Sequence, residues 1–262
     1  MGGFPAVEIF KCADAPWVLF IHTIGGSANT WKEQTEAFSA NYNLLLAELH
    51  CEHGDETLTM EGVCERLFVL LNERGIKRIY IVSICGSSLI ALAFAALYPD
   101  MVGGMVMVSG ILALNKAEKD GVKITLLLKN IAPYMLAYRI MAWLIMPGKI
   151  HRKSRRILIQ EARKIGRDEF RRWVEFFPTI LDNDSYIARF NSLKSPPPSL
   201  YIMGAGDKRW LPLIRQHIDR LNNARIEALP ECGHVCMMDR PDIFNKTTLD
   251  FIGTLIEKEQ KQ

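Results

Sequence analysis

Long apolar runs are missing from this sequence. None approaches the roughly 20 uninterrupted apolar residues that a membrane span requires. The nearest, 131–147, is broken by Pro133 and Arg139. The first residues, MGGFPAVEIFKCADAPW, lack a basic start followed by an apolar core and a small-residue cleavage site. Ala6 stands where a myristoylation signal has Ser or Thr. The cysteines at 12, 51, 64, 85, 232 and 236 show no disulfide-scaffold spacing. The expectation is a cytoplasmic protein with reduced thiols and no membrane span. An excess of charge of one sign is missing too. The net charge of +3 is too small to argue for a nucleic-acid partner. No internal repeat or low-complexity tract is evident.

What is present is alternation. Short apolar runs read as strands: VEIF, then 17–22, 42–50, 78–83, 104–109, 199–204 and 224–229. Continuous apolar runs of this length suit a parallel sheet covered on both faces. Helix-length amphipathic runs lie between them at 31–38, 59–74, 88–98, 211–221 and 242–257. The fold class is therefore α/β, a mostly parallel β-sheet flanked by helices.

The alternation stops between 112 and 194. ITLLLKNIAPYMLAYRIMAWLIMP is apolar with scattered cations, and HRKSRRILIQEARKIGRDEFRRWVEFF is basic and amphipathic. SPPPS at 195–199 ends the helical region. This predicts a helical cap over 112–194, inserted into a core made of 1–111 and 195–262.

The sharpest local signal is the corner Val82-Ser83-Ile84-Cys85-Gly86-Ser87, where a strand gives way at once to a helix. Small residues must flank the central one, because the two backbones crowd there. The general form is Gly-x-nucleophile-x-Gly, and here Ser83 and Ser87 take the glycine positions around Cys85. A cysteine at a helix N-terminus is placed to act as a thiolate. The alternatives are an inert buried thiol, or chemistry at Ser83, Ser87 or Ser88.

Five stretches in order then resemble the α/β-hydrolase family: FIHTIGGSANTW, ELHCEHGD, SLIALAFAALYPDMV, LYIMGAGDKRWLP and LPECGHVCMMDRPDIFNKTTLDFI. The resemblance implies Cys85 as nucleophile, Asp207 as acid and His234 as base. The backbone N–H groups of Ile24 and Gly86 are implied as the oxyanion hole. Thr23 replaces the family's glycine of a His-Gly pair. Asp182 and Asp184 are alternative acids, and a core or capping role is the alternative for His234.

A cysteine nucleophile implies a thioester intermediate. The expected activity is hydrolysis of esters, thioesters or lactones. The alternatives are acyl transfer from thioester donors, or a non-catalytic ligand-binding protein on the same fold. Leu126, Leu127, Met135, Leu136, Met141 and Trp143 are candidates to line an acyl tunnel. Arg152, Lys153, Arg155, Arg156, Arg171 and Arg172 are candidates to meet the phosphates of coenzyme A or an acyl-carrier protein. No cofactor is expected. His22 reads as structural. The groups His50, Cys51, His53 and Cys232, Cys236 read as too tight for a metal.

Overall fold

The computed structural model describes residues 2–23, 26–50, 58–128, 133–181 and 184–261. Among them the strands are β1 (Ala6–Ile9), β2 (Trp17–Ile21), β3 (Asn43–Ala47), β4 (Ile79–Ile84), β5 (Val102–Val108), β6 (Ser199–Gly204) and β7 (Ala224–Leu229). They form one sheet in the order β1-β3-β2-β4-β5-β6-β7. Every pairing is parallel except that of β1 with β3. Burial follows position in the sheet. The central strands β3, β4, β5 and β6 are buried at every residue, whereas the edge strand β7 alternates and the edge strand β1 has no buried residue. Helices on both faces dictate the continuous apolar runs, and an open edge dictates alternation.

The flanking helices are α1 (Lys32–Ser39), α2 (Met60–Asn72) and α3 (Ser87–Leu97). Between β5 and β6 run α4 (Lys116–Leu128), α5 (Tyr134–Ile145), α6 (Arg152–Ile165), α7 (Arg167–Leu181) and α8 (Asp184–Asn191), with no strand among the described residues. After β6 come α9 (Trp210–His217), α10 (Cys236–Asp239) and α11 (Pro241–Glu259). Helix α3, SSLIALAFAAL, is apolar around nearly its whole circumference and has ten buried residues. The reason is that it packs on β4 and β5 on one side and on α2 and α8 on the other. The helix expected over 211–221 ends at His217 and continues as a 3-10 turn, Ile218–Arg220.

The end of β6 touches backbone. A Cβ built at Gly204 would lie 2.1 Å from the Gly233 carbonyl oxygen and 2.6 Å from that of Cys232. Main-chain atoms cannot swing aside as a side chain can. Gly204→Ala is therefore expected to destabilise the fold by about 3 kcal/mol, read as a lower urea midpoint. An unchanged midpoint would show that this strand and loop need not touch.

Candidate active site

The site begins with the turn between β4 and α3. Cys85 sits there at φ 55°, in the left-handed region that costs a residue with a Cβ. Its N–H donates to the Val108 carbonyl at 2.8 Å, which ties the corner to β5. The serines beside it are occupied elsewhere. Ser83 is fully buried against the Met107 sulfur at 3.2 Å. The Ser87 hydroxyl accepts from Ile84 N–H at 3.0 Å and lies 3.0 Å from the Ile21 carbonyl, pinning β4 to β2. Ser88 donates to the Cys85 carbonyl at 2.6 Å and accepts from Ile111 N–H at 2.9 Å. None of the three reaches the cavity into which Cys85 opens. Serine thus replaces glycine at the two flanks without a clash, because each side chain has a place in the sheet.

That cavity is lined by Cys85 and His234 together with residues of α4, α5, α6 and α7, among them Val122, Met141, Leu158, Val174 and Phe177. Tyr138 is part of the same wall. Burial, and after it the charge of Cys85, raises its phenol, so the hydroxyl stays a proton donor.

Asp207 follows β6, and His234 lies in the loop after β7. The two meet: His234 Nδ1 is 2.8 Å from Asp207 Oδ2, and both residues are almost wholly buried. The other oxygen of Asp207 accepts from Trp210 N–H at 3.0 Å and Arg209 N–H at 3.2 Å, at the start of α9. Burial opposes the Asp207 charge, but the His234 bond and these two amides outweigh it and hold the carboxyl below its ordinary 3.8. Burial likewise opposes a charged His234. The Asp207 carboxylate and then the Cys85 sulfur overcome it and push the imidazole up to about 10. The remaining ring nitrogen, Nε2, is buried and makes no well-formed hydrogen bond, but the Cys85 sulfur is close enough to favour the charged ring.

Two residues that the sequence reading missed hold the backbone of His234. Ser109, at φ 45° beyond β5, donates its hydroxyl to the His234 carbonyl. His151, just before α6, accepts the His234 N–H on Nδ1 at 3.2 Å. Burial lowers the pKa of His151, which keeps that nitrogen free to accept. Glycine makes room: a Cβ at Gly233 would lie 2.3 Å from the His151 ring, and one at Gly206 2.7 Å from Ile150 Cδ1. Thus Ile150 and His151 press on the glycines that directly precede Asp207 and His234. Ser154 adds a bond to Asp239 at 3.1 Å, and Asp239 accepts from Gly233 N–H at 3.2 Å. The available sequence signal was the glycine before each of the two site residues.

Among the described residues the Gly86 N–H has no acceptor. Ile24, Cys51, His53 and Asp182 lie outside the described residues. Asp184 is on the surface, paired with Arg220. Of the proposed tunnel residues, Met141 reaches the cavity, while Leu127, Leu136 and Trp143 are turned to solvent. Arg171 and Arg172 are paired with Glu175 and Glu169. One group among the described residues could hold a cation, His22, Glu48 and His50, whose ligand atoms lie within 4.8 Å of one another. Its His22 Nε2 already accepts from Leu49 N–H at 3.1 Å, and Nδ1 meets the Thr23 carbonyl at 2.8 Å. Both nitrogens of His22 are therefore engaged in holding the loop.

A parallel sheet with a strained residue at a strand–helix corner, and a buried His–Asp pair beside it, defines an enzyme of the hydrolase type. Residues 18–247 match the model of the Alpha/beta hydrolase family, and the chain belongs to that family. Its sequence is 26% identical over 265 residues to “Putative carbamate hydrolase RutD” of Pseudomonas savastanoi pv. phaseolicola, covering 94% of this chain and 98% of that one. Its fold is similar to that of MGS-M2, an alpha/beta hydrolase enzyme from a Medee basin deep-sea metagenome library. That likeness has a TM-score of 0.81, with 23% identity over 95% of this chain and 94% of the other. It is also similar to the enol-lactonase of Burkholderia xenovorans, with a TM-score of 0.78, 17% identity and coverage of 95% and 96%.

Proposed function

We propose that the protein hydrolyses acyl-thioesters, activated esters or lactones through an acyl-cysteine intermediate on Cys85. The observation that carries this reading is Cys85 alone at the strained corner, sharing a cavity with His234, whose far nitrogen is bonded to Asp207. In this scheme His234 already holds the Cys85 proton on Nε2 in the resting enzyme, as a thiolate–imidazolium pair, and Asp207 holds Nδ1–H and the ring orientation. The thiolate attacks the substrate carbonyl, and the oxyanion that forms is met by Gly86 N–H and, in our proposal, by Ile24 N–H. The leaving group departs with the proton from His234, which leaves a thioester on Cys85. Water, deprotonated by His234, then attacks that thioester and releases the acid and the thiol.

The leaving group decides the substrate class. Exchange of one thioester for another is nearly balanced, and an activated ester or strained lactone runs downhill. Transfer from an amide to a thiol runs uphill, so peptides trail behind these substrates. Residues 112–194 act as a cap in this reading, because that segment supplies more than half of the residues in the cavity wall. The mainly apolar wall favours an acyl chain over a polar substrate. It also supports a second reading, acyl transfer from coenzyme A or carrier-protein thioesters, since the same wall limits water. A cytoplasmic enzyme would meet both donors.

The test is intact-protein mass spectrometry after mixing with acyl-coenzyme A, p-nitrophenyl esters, enol-lactones, carbamates and simple amides. The lactone and carbamate arms follow the names of the two relatives. The expected result is an acyl adduct mapped to Cys85 with the thioester and activated-ester arms and none with amides. Turnover without any adduct on Cys85 would remove the covalent scheme.

A further inference from the structure

Helix α5 has two apolar faces. Tyr138, Met141, Ala142 and Ile145, spaced as one helical stripe, line the Cys85 cavity. Leu136, Ile140 and Trp143 form a second stripe that stands in solvent, with Trp143 57% exposed, and Leu144 lies at the border between the two. Neighbouring α4 adds Ile124 and Leu127, the latter 71% exposed. Nine large hydrophobics are exposed among the described residues, and seven of them lie between 124 and 150. Scattered exposed apolar residues need no explanation, but a concentration of this kind marks an interaction face.

Charge is concentrated beside it. Residues 133–165 hold eight Lys and Arg against one acid, Glu161, an excess larger than the net +3 of the whole chain. Glu161 is itself paired with Lys164 at 2.8 Å. A groove next to Trp143 is lined by Arg139, Lys149, Arg152, Arg156 and Arg163, with no acidic side chain. The Arg155 guanidinium lies 4.0 Å from the Trp143 ring centroid, so groove and stripe adjoin.

We propose that α4, α5 and the cationic groove beside them dock on the surface of an anionic phospholipid bilayer. Such a surface offers phosphates to the cations and acyl chains to the aliphatic stripe at the same time, with Trp143 at the boundary. A second copy of the chain would bring two cationic grooves together, which like charge opposes. An acidic soluble protein would satisfy the cations but needs matching apolar surface for the stripe. No described helix is long and apolar enough to cross a membrane, so the contact lies on the bilayer. The inward stripe of the same helix walls the cavity, which gives a lipid-borne acyl chain a short route to Cys85.

The experiment uses the full chain carrying Cys85→Ala, so that vesicle chemistry plays no part. Sedimentation is measured with phosphatidylcholine vesicles and with phosphatidylcholine–phosphatidylglycerol vesicles, at low and high salt. Binding is expected with the anionic vesicles, about tenfold tighter than with the neutral ones, and weakened by salt. Leu136→Gln with Ile140→Gln, and separately Arg152→Glu with Arg156→Glu, are each expected to weaken it about tenfold. All four positions are exposed, and circular dichroism checks the fold. Equal binding to both vesicle types by the parent would overturn the proposal without any variant. So would parent-like binding by either well-folded pair. A dimer that the same substitutions dissolve would assign the face to a second copy. Capture of a purified acidic acyl-carrier protein, with no vesicle binding, would assign it to that protein; either outcome refutes a membrane contact. Failure here leaves the Cys85 chemistry untouched, because no arm measures turnover.

Discussion

Cys85→Ala will form no acyl adduct, and its turnover of thioesters and activated esters will fall by at least about a thousandfold. The substitution removes one sulfur from a residue that is 7% exposed and faces a cavity, so folding should survive it. Cys85→Ser keeps the shape but exchanges a thiol for a hydroxyl, which depends far more on its base. It should retain a small fraction of the activity and give an oxygen-ester adduct that persists. The three nearby serines cannot replace Cys85 in this account, since each is buried in bonds that hold the turn. Parent-like turnover by Cys85→Ala would end the nucleophile assignment and make Ser83, Ser87 and Ser88 the next residues to replace.

Asp207→Asn will lower turnover on the order of a thousandfold or more, and it will change how stability depends on pH. The asparagine keeps an oxygen for Arg209 and Trp210 N–H but loses the charge that faces His234. In the parent the folded-state His234 value is about 10 against an ordinary 6.5. A raised value stabilises the fold fully below the unfolded-state value and loses that contribution as pH climbs through the folded one. The melting-temperature gap between parent and Asp207→Asn should therefore be wide near pH 6.5 and narrow toward pH 10. Proton NMR of His234 should show its titration moving down in the variant. A gap that stays constant across that range would mean that Asp207 does not carry the imidazolium.

The α/β class, the strand and helix order and the sharp corner at Cys85 were legible in the linear sequence, and each is a local matter. Asp207 and His234 were singled out only through the resemblance to the α/β-hydrolase family. A run such as RIYIVS or SLYIMG must be apolar throughout because both faces of a central parallel strand are covered. The helix-length stripes follow a period that can be read over a few turns. The corner at Cys85 was legible because crowding there restricts its neighbours to small residues. The fold then brings Asp207 and His234, 27 positions apart, within hydrogen-bond distance.

Other features depend on contacts between distant segments. The role of Ser109 exists only because β5 ends beneath the His234 loop, and that of His151 only because the start of α6 presses on Gly233. Within HRKSRR, His151 is indistinguishable from the cations around it. Leu136 and Trp143 were expected in the cavity, yet they face solvent. An α-helix that is apolar on two sides carries no mark of which side turns inward. That choice was made by packing: the seat of α5 against α4, α6 and α7 directs Tyr138 and Met141 toward Cys85 and leaves the other stripe outside. Sequence alone determined the elements and the crowded corner at Cys85, because periodicity and steric crowding act between near neighbours. Only the tertiary structure decided what holds His234 in place and which face of the cap is exposed, because those outcomes depend on segments that meet only after the chain has folded.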